Sequence, residues 1–494
     1  MKTNSNQSIK IFKFIGLVTL LTIITKVVGF IREILIGINL GTNNEADFII
    51  LTLTIPTFIY LIIGGAFTTS FISIYLKLDE QAKARFLSVV NRVINVFSFT
   101  VIVALVLGYY LVPYLRSQNF TVYITAIPSI YFYIKSSFFS GILNANKKFI
   151  KSATAILLNN VLFIIILIIL QIFTTSLATY AIAFLISSII MYWYLYAEVR
   201  VEIEFQKFQF KENIFKEETT KRFLKLSLPI VLGGASTQLY ALMQRLYAIK
   251  LDEGYIAAVN YASKLVLLPQ GIILTGITTV IFPYLAKMVS DKDISKLKSS
   301  YVKGEKLLFY ILGILSINII VFSKEIVSLI FEYGSFDSTS TYKTALMLKF
   351  MVIGMYFSTI AAFITRYYYA YEKNNYPVIV GFFSVFVMNP LLFGILEPHV
   401  KEVSLPLSTS LSLIVQFILL KFKLKNFTGV EFIKAKVLIP RVIFISIYFI
   451  SIQYMYIFLS NYTESYVLFI SATLQFIFIL PLVFLLKKMK ILKF

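Results

Sequence analysis

The stretch ILLNNVLFIIILIILQIF, which runs from Ile156 to Phe173, decides the fold class of this chain. It contains no charged residue and is long enough to cross a bilayer as a helix, which takes about 20 residues at 1.5 Å per residue. A strand of a transmembrane barrel would alternate apolar with polar residues, and this stretch does not. It therefore indicates a helical membrane protein.

The whole composition agrees with that stretch. Hydrophobic residues make up 58% of the 494 residues and charged residues 14%, and the mean hydropathy is +0.83. A soluble domain of this size needs a more polar surface. Apolar runs of spanning length recur along the chain and predict an all-α polytopic membrane protein with about fourteen transmembrane helices.

The distribution of charge predicts the topology. The net charge of +22 could suggest nucleic acid, but the lysines and arginines lie in every second loop, and loops such as GTNNEAD between them carry almost none. The positive-inside rule then puts both termini in the cytoplasm and excludes a nucleic-acid partner. It predicts positions inside at Lys83, Lys216 and Lys296 and outside at Asn43, Ser335 and Asn461, and it assigns Lys421 to a cytoplasmic loop.

The longest cytoplasmic connection divides the chain into two lobes. We predict a first lobe over residues 1–200 with spans 1–6, a linker over 201–222, a second lobe over 223–425 with spans 7–12, and two additional spans over 426–494. A weak internal repeat supports the division, because TTSFISIYLKL ends the second span and TTVIFPYLAKM ends the eighth. Parallel repeats of this kind are common in secondary transporters.

Several kinds of chemistry are excluded. The chain has no cysteine and a single histidine, His399, so thiol chemistry and a histidine metal site are not available. No GxxxxGK[ST] loop is present to bind ATP. We expect no enzyme activity, no metal and no cofactor, and the sequence leaves a coupling ion open.

The residues that stand out are ionisable groups at membrane depth: Lys26, Arg32, Glu33, Lys135, Arg245 and Lys264. Such groups usually face a cavity. The alternative is that a cation extends along the helix to the interface, which is the favoured interpretation for Arg245 and an equal alternative for Lys135. Glu33, and Asp47 in the next span, are either functional or simple counter-ions.

Small residues and prolines mark candidate conformational positions. Gly29 would let a backbone or a ligand approach the first span, while Pro56 and Pro269 interrupt the second and eighth. Gly64 and Gly65 indicate a flexible point or close helix packing. Because cations in a water-poor cavity bind phosphate oxygens strongly, the predicted ligand is a phosphate-bearing lipid headgroup that cannot cross the bilayer unaided.

At these residues the sequence resembles a known family. The stretch TKVVGFIREILIGINLGTNNEADFIILTLTIP, residues 25–56, is similar to the first-span signature of the MurJ/MviN lipid II flippases, within the multidrug/oligosaccharidyl-lipid/polysaccharide exporter superfamily. Further similar stretches are GGAFTTSFISIY (64–75), GILNANKKF (141–149), YASKLVLLPQGIILTGITTVIFPYLAK (261–287) and IFEYGSFD (330–337).

The resemblance implies a V-shaped, two-lobe transporter of the bacterial cytoplasmic membrane, with an arrangement like that of the MATE exporters. It would move undecaprenyl-diphosphate-linked peptidoglycan precursor, lipid II, to the outer leaflet by alternating access, and the last two spans would receive the lipid tail. By position, Lys26, Arg32 and Lys264 correspond to the diphosphate-binding arginines of the family, and Asp47 corresponds to its acidic residue after the first span.

Departures from the family pattern leave the cargo open. Lys26 and Lys264 replace arginines, which keeps the charge and loses the bidentate fork, and a further cationic position reads Tyr60 or Leu61. The alternative cargo is an O-antigen, capsule or exopolysaccharide repeat unit. A cation-coupled drug exporter would need carboxylates at depth, and a membrane scaffold would need no buried lysine.

Overall fold

The computed structural model describes residues 2–200, 238–291, 293–373, 375–429 and 435–459, and these residues form helices and short connections without a strand. The helices are α1 (Lys2–Leu40), α2 (Asn44–Tyr75), α3 (Glu80–Leu111), α4 (Pro113–Arg116), α5 (Phe120–Ala126), α6 (Ser129–Ala145), α7 (Phe149–Phe173), α8 (Ala178–Arg200), α9 (238–248), α10 (Tyr255–Ser290), α11 (Ile294–Val321), α12 (Ser323–Phe331), α13 (Ser338–Ala370), α14 (Asn375–Phe383), α15 (Asn389–Val400), α16 (Ser404–Thr428) and α17 (Ala435–Leu459).

The predicted class of polytopic all-α membrane protein is confirmed. Within the described ranges, nine helical segments are long and apolar enough to cross a membrane. The fourth span, predicted near residues 119–144, is broken at Ile127 and Pro128 into α5 and α6. The eleventh span, predicted near 375–396, contains a π-helical turn at Ser384–Met388, and a short 3-10 turn at Lys401–Val403 joins it to the twelfth, predicted near 403–421. The total of fourteen spans stays a prediction, since the linker at 201–222 and the last span lie outside the described residues.

The chain packs into two compact units. The first contains residues 1–36 and 43–245, and the second contains residues 37–42 and 246–494. The helix α1 therefore contributes most of its length to the first unit and its final turn to the second. The lobe boundaries expected from the sequence stay a prediction.

In the first unit α6 lies at the centre and packs against α2, α3, α7 and α8. Aromatic side chains fill the interior, and the ring of Phe71 stacks on Phe86 at 5.5 Å and meets the edge of Phe138 at 5.6 Å. α7 exposes most of its surface, with Phe163 and Leu167 among its few buried apolar residues. An exposed apolar helix face is what a lipid surrounding requires.

In the second unit α13 is central and packs against α10, α11, α12 and α16. A buried ion pair joins α16 to α11 in this unit. Lys421 Nζ lies 3.3 Å from Glu305 Oε1 and 3.8 Å from the centre of the Tyr301 ring. The loop charges predicted Lys421 in a cytoplasmic loop. The structure continues α16 to Thr428 and buries Lys421 almost completely, so that prediction was wrong.

Three glycines hold the end of α1 in the second unit. Gly41, Gly254 and Gly334 all have positive φ, between 61° and 85°. A Cβ on Gly254 would lie 2.1 Å from the carbonyl oxygen of Thr42, and one on Gly41 would lie 2.4 Å from that of Ser335. Only glycine permits both the backbone angle and the close approach. We call this group the glycine clasp.

Hydrogen bonds complete the clasp within the second unit. The Ser335 amide donates to Ile38 O at 2.7 Å, and the Thr42 amide donates to Ser340 Oγ at 3.1 Å. Asp337 caps α13 and accepts from the Ser340 amide, and this hydrogen bond lowers the pKa of the Asp337 carboxyl. The connection after α1 is thus fixed by backbone contacts rather than by apolar side chains alone.

Candidate functional site

The strongest candidate site lies around Arg32 in the first unit. Arg32 Nη2 donates to Glu33 Oε1 at 2.8 Å and Nη1 donates to Asn160 Oδ1 at 3.2 Å. The guanidinium also lies 5.5 Å from the centre of the Phe163 ring. Because α7 supplies both Asn160 and Phe163, the cation of α1 is held against a neighbouring helix. It does not extend to the interface, which was one interpretation of the sequence.

One nitrogen of this guanidinium has no acceptor among the described residues. Arg32 Nε is buried and has no hydrogen-bond partner among the described residues. A buried donor without an acceptor is uncommon, since leaving it unpaired costs about 1–3 kcal/mol. The arrangement therefore orients Arg32 and leaves one of its donors unused among the described residues.

A second arginine comes close to the same carboxylate. Glu33 is 4% exposed, and Arg245 in α9 is 9% exposed and within electrostatic range of Glu33. Arg245 was expected to extend to the interface, and that expectation was wrong because its side chain is buried. Two guanidinium groups near one carboxylate give this region a net positive charge, which favours an anionic ligand.

A chain of hydroxyl and amide groups lies beside Arg32. Tyr133 donates to Asn159 Oδ1 at 3.0 Å, and Asn159 Nδ2 donates to Ser187 Oγ at 3.3 Å. The Tyr60 ring lies 5.2 Å from that of Tyr133, which is within electrostatic range of Arg32. Of the two residues at the position that departs from the family pattern, Tyr60 thus faces this cluster, whereas Leu61 is 44% exposed.

Sequence analysis missed the part that α7 contributes. Asn159 and Asn160 form a pair in the middle of an otherwise apolar span. Amide side chains in such a place cost free energy unless they have partners. This asparagine pair was the signal that could have identified the contact with Arg32.

Lys26 differs from Arg32 although both lie on α1. Its side chain is exposed and forms no hydrogen bond or ion pair within the described ranges. Gly29 lies between them, and a Cβ there would be 3.5 Å from Asn160 Nδ2, which is an ordinary contact. The close approach at Gly29 thus involves α7.

The other predicted residues divide between the two units. Lys264 is half-buried on α10 of the second unit, and Pro269 lies in the same helix, which continues without a break to Ser290. In the first unit, α2 contains Pro56, Gly64 and Gly65 within its length. The expectation that Pro56 and Pro269 interrupt their spans was wrong, because each helix continues through its proline. The structure therefore brings Arg32 and Glu33 together, while Lys26 stands apart from them.

Two predicted residues have partners outside the Arg32 cluster. Lys135 is buried and donates to Asn91 of α3, and its ammonium lies 5.6 Å from the centre of the Tyr131 ring. Asp47 is buried in the first turn of α2, within electrostatic range of the Tyr114 hydroxyl. The contact of Lys135 joins α3 to α6 and indicates a structural contribution.

Comparison with solved structures agrees with this fold. A structure titled lipid II flippase MurJ, inward closed conformation, matches with a TM-score of 0.77 at 24% identity and covers 96% of this chain and 99% of that one. An inward-facing MATE family transporter of the MOP superfamily matches with a TM-score of 0.67 at 13% identity, over 82% and 96% of the two chains. At these identities the likeness concerns the fold alone.

Sequence comparison is more specific. A probable lipid II flippase MurJ of Buchnera aphidicola subsp. Schizaphis graminum is 24% identical over 447 residues, which are 85% of each chain. The lipid II flippase MurJ of Thermosipho africanus is 25% identical over 441 residues, 85% of this chain and 87% of that one. The family model described as lipid II flippase MurJ matches residues 37–478. Since this match covers most of the chain, the protein belongs to the MurJ family of lipid II flippases.

Proposed function

We propose that this chain moves lipid II, an undecaprenyl-diphosphate-linked saccharide, from the cytoplasmic to the outer leaflet of a bacterial inner membrane by alternating access. Family membership supports this function. The structural observation that carries it is Arg32, which is held in place by Glu33 and Asn160 and keeps a buried Nε without a partner among the described residues. A diphosphate is a fitting ligand for such a group.

The physical role of the site is to replace the hydration of the headgroup. Guanidinium and ammonium groups form charge-assisted hydrogen bonds to phosphate oxygens, and these bonds are stronger in a water-poor surrounding. We propose Arg32, Lys26 and Lys264 as diphosphate ligands. The exposed ammonium of Lys26 is free to reach a ligand, and Arg32 is already oriented by its partners.

Transport by this scheme needs no covalent step on the protein and no cofactor. We propose that both termini lie in the cytoplasm, as the charges of the loops predict. The membrane itself and the lipid-linked saccharide are then the partners, and nucleic acid is not one of them.

Complementation tests the proposal. A bacterial strain depleted of its own lipid II flippase should grow when it expresses this chain, and lipid II should become accessible at the outer leaflet. The double variant Lys26→Ala/Lys264→Ala should fail at equal expression. The matched control is Lys77→Ala/Lys425→Ala, which also removes one cation from each unit, at exposed positions, and should complement.

Three outcomes would contradict the assignment. If the wild type does not make lipid II accessible but does move an O-antigen or capsule precursor in a strain that lacks the corresponding flippase, the cargo is wrong. Export of an organic cation without lipid II movement would favour a drug exporter. Full complementation by the Lys26→Ala/Lys264→Ala variant would show that these two lysines do not bind the diphosphate.

A further inference from the structure

The two adjacent asparagines of α7 contact different neighbours. Asn159 is buried, accepts from Tyr133 of α6 and donates to Ser187 of α8. Asn160 is the next residue, about 100° farther around the helix axis, and it accepts from Arg32 of α1. Adjacent positions of a helix do not share a face. The bonds of Asn159 therefore fix the rotation of α7, and with it the direction in which Asn160 points.

Phe163 lies on the same side of α7 as Asn160. The two positions are three apart, which makes them neighbours on a helix surface. Phe163 is 1% exposed, and the centre of its ring lies 5.5 Å from the guanidinium carbon of Arg32. An amide oxygen and a ring face both attract a cation, and neither carries a charge. The helix α7 thus holds Arg32 with two neutral groups.

The carboxylate that pairs with Arg32 comes from α1 itself. Glu33 accepts from Nη2 at 2.8 Å, while Asn160 accepts from Nη1 at 3.2 Å. Two attachments on different nitrogens fix the plane of the guanidinium, whereas a single attachment would let it turn. The charges of Arg32 and Glu33 cancel, and Asn160 adds the second attachment without making the sum negative.

A carboxylate at position 160 would hold the arginine more firmly than the amide does. Aspartate has nearly the same shape as asparagine, and hydrogen bonds between two charged partners are stronger than those to a neutral acceptor. For stability alone, an aspartate would therefore be the better residue. Two carboxylates beside one guanidinium would, however, carry a net negative charge and repel an anionic cargo.

We propose that Asn160 is a positioning residue for cargo binding, which orients the guanidinium of Arg32 for a diphosphate and keeps a second negative charge away from it. This role rests on the proposed function, because it takes Arg32 as a diphosphate ligand. Asn160 acts through Arg32, and its neutral amide makes the site selective for an anion.

Diphosphate binding to the purified full-length protein tests this role. The protein in a neutral detergent is titrated with undecaprenyl diphosphate, and native mass spectrometry and the melting temperature report binding. Without ligand, Asn160→Asp should keep or raise the melting temperature, because the new carboxylate still accepts from Arg32. It should weaken the affinity for undecaprenyl diphosphate about tenfold or more. Asn160→Ala should weaken the affinity about threefold, since it removes an attachment and adds no charge.

A double variant separates the effect of charge from that of geometry. Glu33→Gln/Asn160→Asp moves the carboxylate from one side of the guanidinium to the other and keeps one carboxylate in total. It should recover much of the affinity that Asn160→Asp loses, which a packing defect alone would not allow. The matched control is Asn119→Asp, the same exchange at an exposed position of the first unit, which should leave the affinity within about twofold.

Wild-type affinity of Asn160→Asp for undecaprenyl diphosphate would overturn the role of Asn160. A loss of affinity that the double variant does not reduce would overturn it as well, because charge would not be the cause. If Asn160→Asp does not fold, Asn160→Ala takes its place, and unchanged affinity of that variant would contradict the proposal.

Failure of the proposed function has a different signature. A wild type that does not bind undecaprenyl diphosphate, or that binds it equally well after Arg32→Ala, would overturn Arg32 as a ligand and the role of Asn160 together. Binding that depends on Arg32 and not on Asn160 would overturn the role of Asn160 alone.

Discussion

Cations on the apolar helices of this chain differ in the groups that replace their hydration. Arg32 has a carboxylate and an amide, Lys421 has a carboxylate and a ring face, and Lys135 has an amide and a ring. Lys26 is exposed instead. A fully satisfied pair is a structural element, whereas a cation that keeps a free donor or an exposed ammonium can bind a ligand. This distinction separates Lys421 from Arg32 and Lys26.

The first prediction concerns Arg32. Replacement by Ala should lower lipid II transport about tenfold to a hundredfold, because a hydrogen bond to a charged group contributes about 1.5–3 kcal/mol. Arg32→Lys should keep part of the rate, since it keeps the charge and loses the fork. The measurement is the appearance of lipid II in the outer leaflet of proteoliposomes, at equal amounts of protein.

Arg116→Ala is the control for that experiment, because Arg116 is an exposed arginine of the same unit. It should transport at the wild-type rate. A wild-type rate for Arg32→Ala would show that Arg32 does not bind the cargo.

The second prediction concerns the buried ion pair of Lys421 and Glu305. Lys421→Met should destabilise the protein by about 3–5 kcal/mol, because it leaves a buried carboxylate without its cation. The double variant Lys421→Met/Glu305→Met should recover much of the loss. Thermal unfolding of the purified variants measures both effects.

Lys425→Met provides the comparison, since Lys425 is an exposed lysine of the same helix and its loss should change stability by less than about 0.5 kcal/mol. Equal melting temperatures for Lys421→Met and Lys425→Met would show that the pair contributes nothing to stability.

At the scale of elements, α1 has two attachments. Its residues up to Ile36 belong to the first unit and its end belongs to the second, where the glycine clasp holds it. Arg32 lies little more than one turn before Gly37, and a Cβ on Gly37 would be 2.9 Å from the Phe331 ring. Arg32 thus lies little more than one helical turn from a tightly packed position of α1.

The third prediction tests the clasp. Gly254→Ala should destabilise the protein by about 1–3 kcal/mol or more, because alanine is strained at a φ of +85° and its Cβ would meet the Thr42 carbonyl at 2.1 Å. The helical Gly394 has no atom within 4 Å of the place that a Cβ would take, so Gly394→Ala should be neutral or stabilising. The melting temperatures of the two variants compare them directly, and equal values would refute the clasp.

Much of the element structure follows from hydropathy, and the exceptions have physical causes. Runs of apolar residues predicted the spans. One of these spans is divided at Pro128, which lies between the end of α5 and the start of α6. The positive-inside rule treats every lysine near a span end as a loop charge, and it therefore misplaced Lys421. Its burial depends on Glu305, which is distant in sequence and invisible to a local pattern.

Part of the candidate site could also be predicted from the sequence. The sequence indicated Arg32 as a candidate ligand and left Glu33 as either a functional residue or a counter-ion, and the structure pairs Glu33 with Arg32. The contact with Asn160 requires knowledge of how α1 packs on α7, which hydropathy does not contain. The expected position of Arg245 failed for a related reason, because the length of a side chain suggests an interface while only packing shows whether the chain encloses it.

At the scale of the whole molecule, topology is the fourth prediction. The chain has no native cysteine, so single cysteines can be labelled in intact cells without background. An impermeant maleimide should label a cysteine at position 43, 335 or 461 and should leave one at 83, 216 or 296 unlabelled until the cells are opened. Labelling at position 216 in intact cells would contradict cytoplasmic termini and the proposed direction of transport.

The driving force gives the fifth prediction, which follows from charge. The proposed cargo is an anion that moves outward, and an inside-negative potential favours that step by about 2.3 kcal/mol per charge per 100 mV. The same field draws an empty cationic binding site back toward the cytoplasm. The membrane potential would therefore assist the loaded step and the return step alike.

A potassium and valinomycin clamp separates the potential from the proton gradient. In proteoliposomes or cells clamped at zero potential, lipid II transport should collapse, whereas dissipation of the pH gradient alone should leave it largely intact. Replacing Lys26 and Lys264 by arginine should retain or raise the rate of lipid II transport, since the bidentate guanidinium suits a diphosphate. The charge of the binding site, on which the membrane potential acts, stays the same. Transport that survives the clamp and fails without a pH gradient would instead require a proton-coupled carboxylate. Glu33 would then be the first residue to test. It is buried, accepts a hydrogen bond from Arg32 and lies within electrostatic range of Arg245. Gain or loss of a proton on its carboxylate would therefore change the net charge of these three side chains.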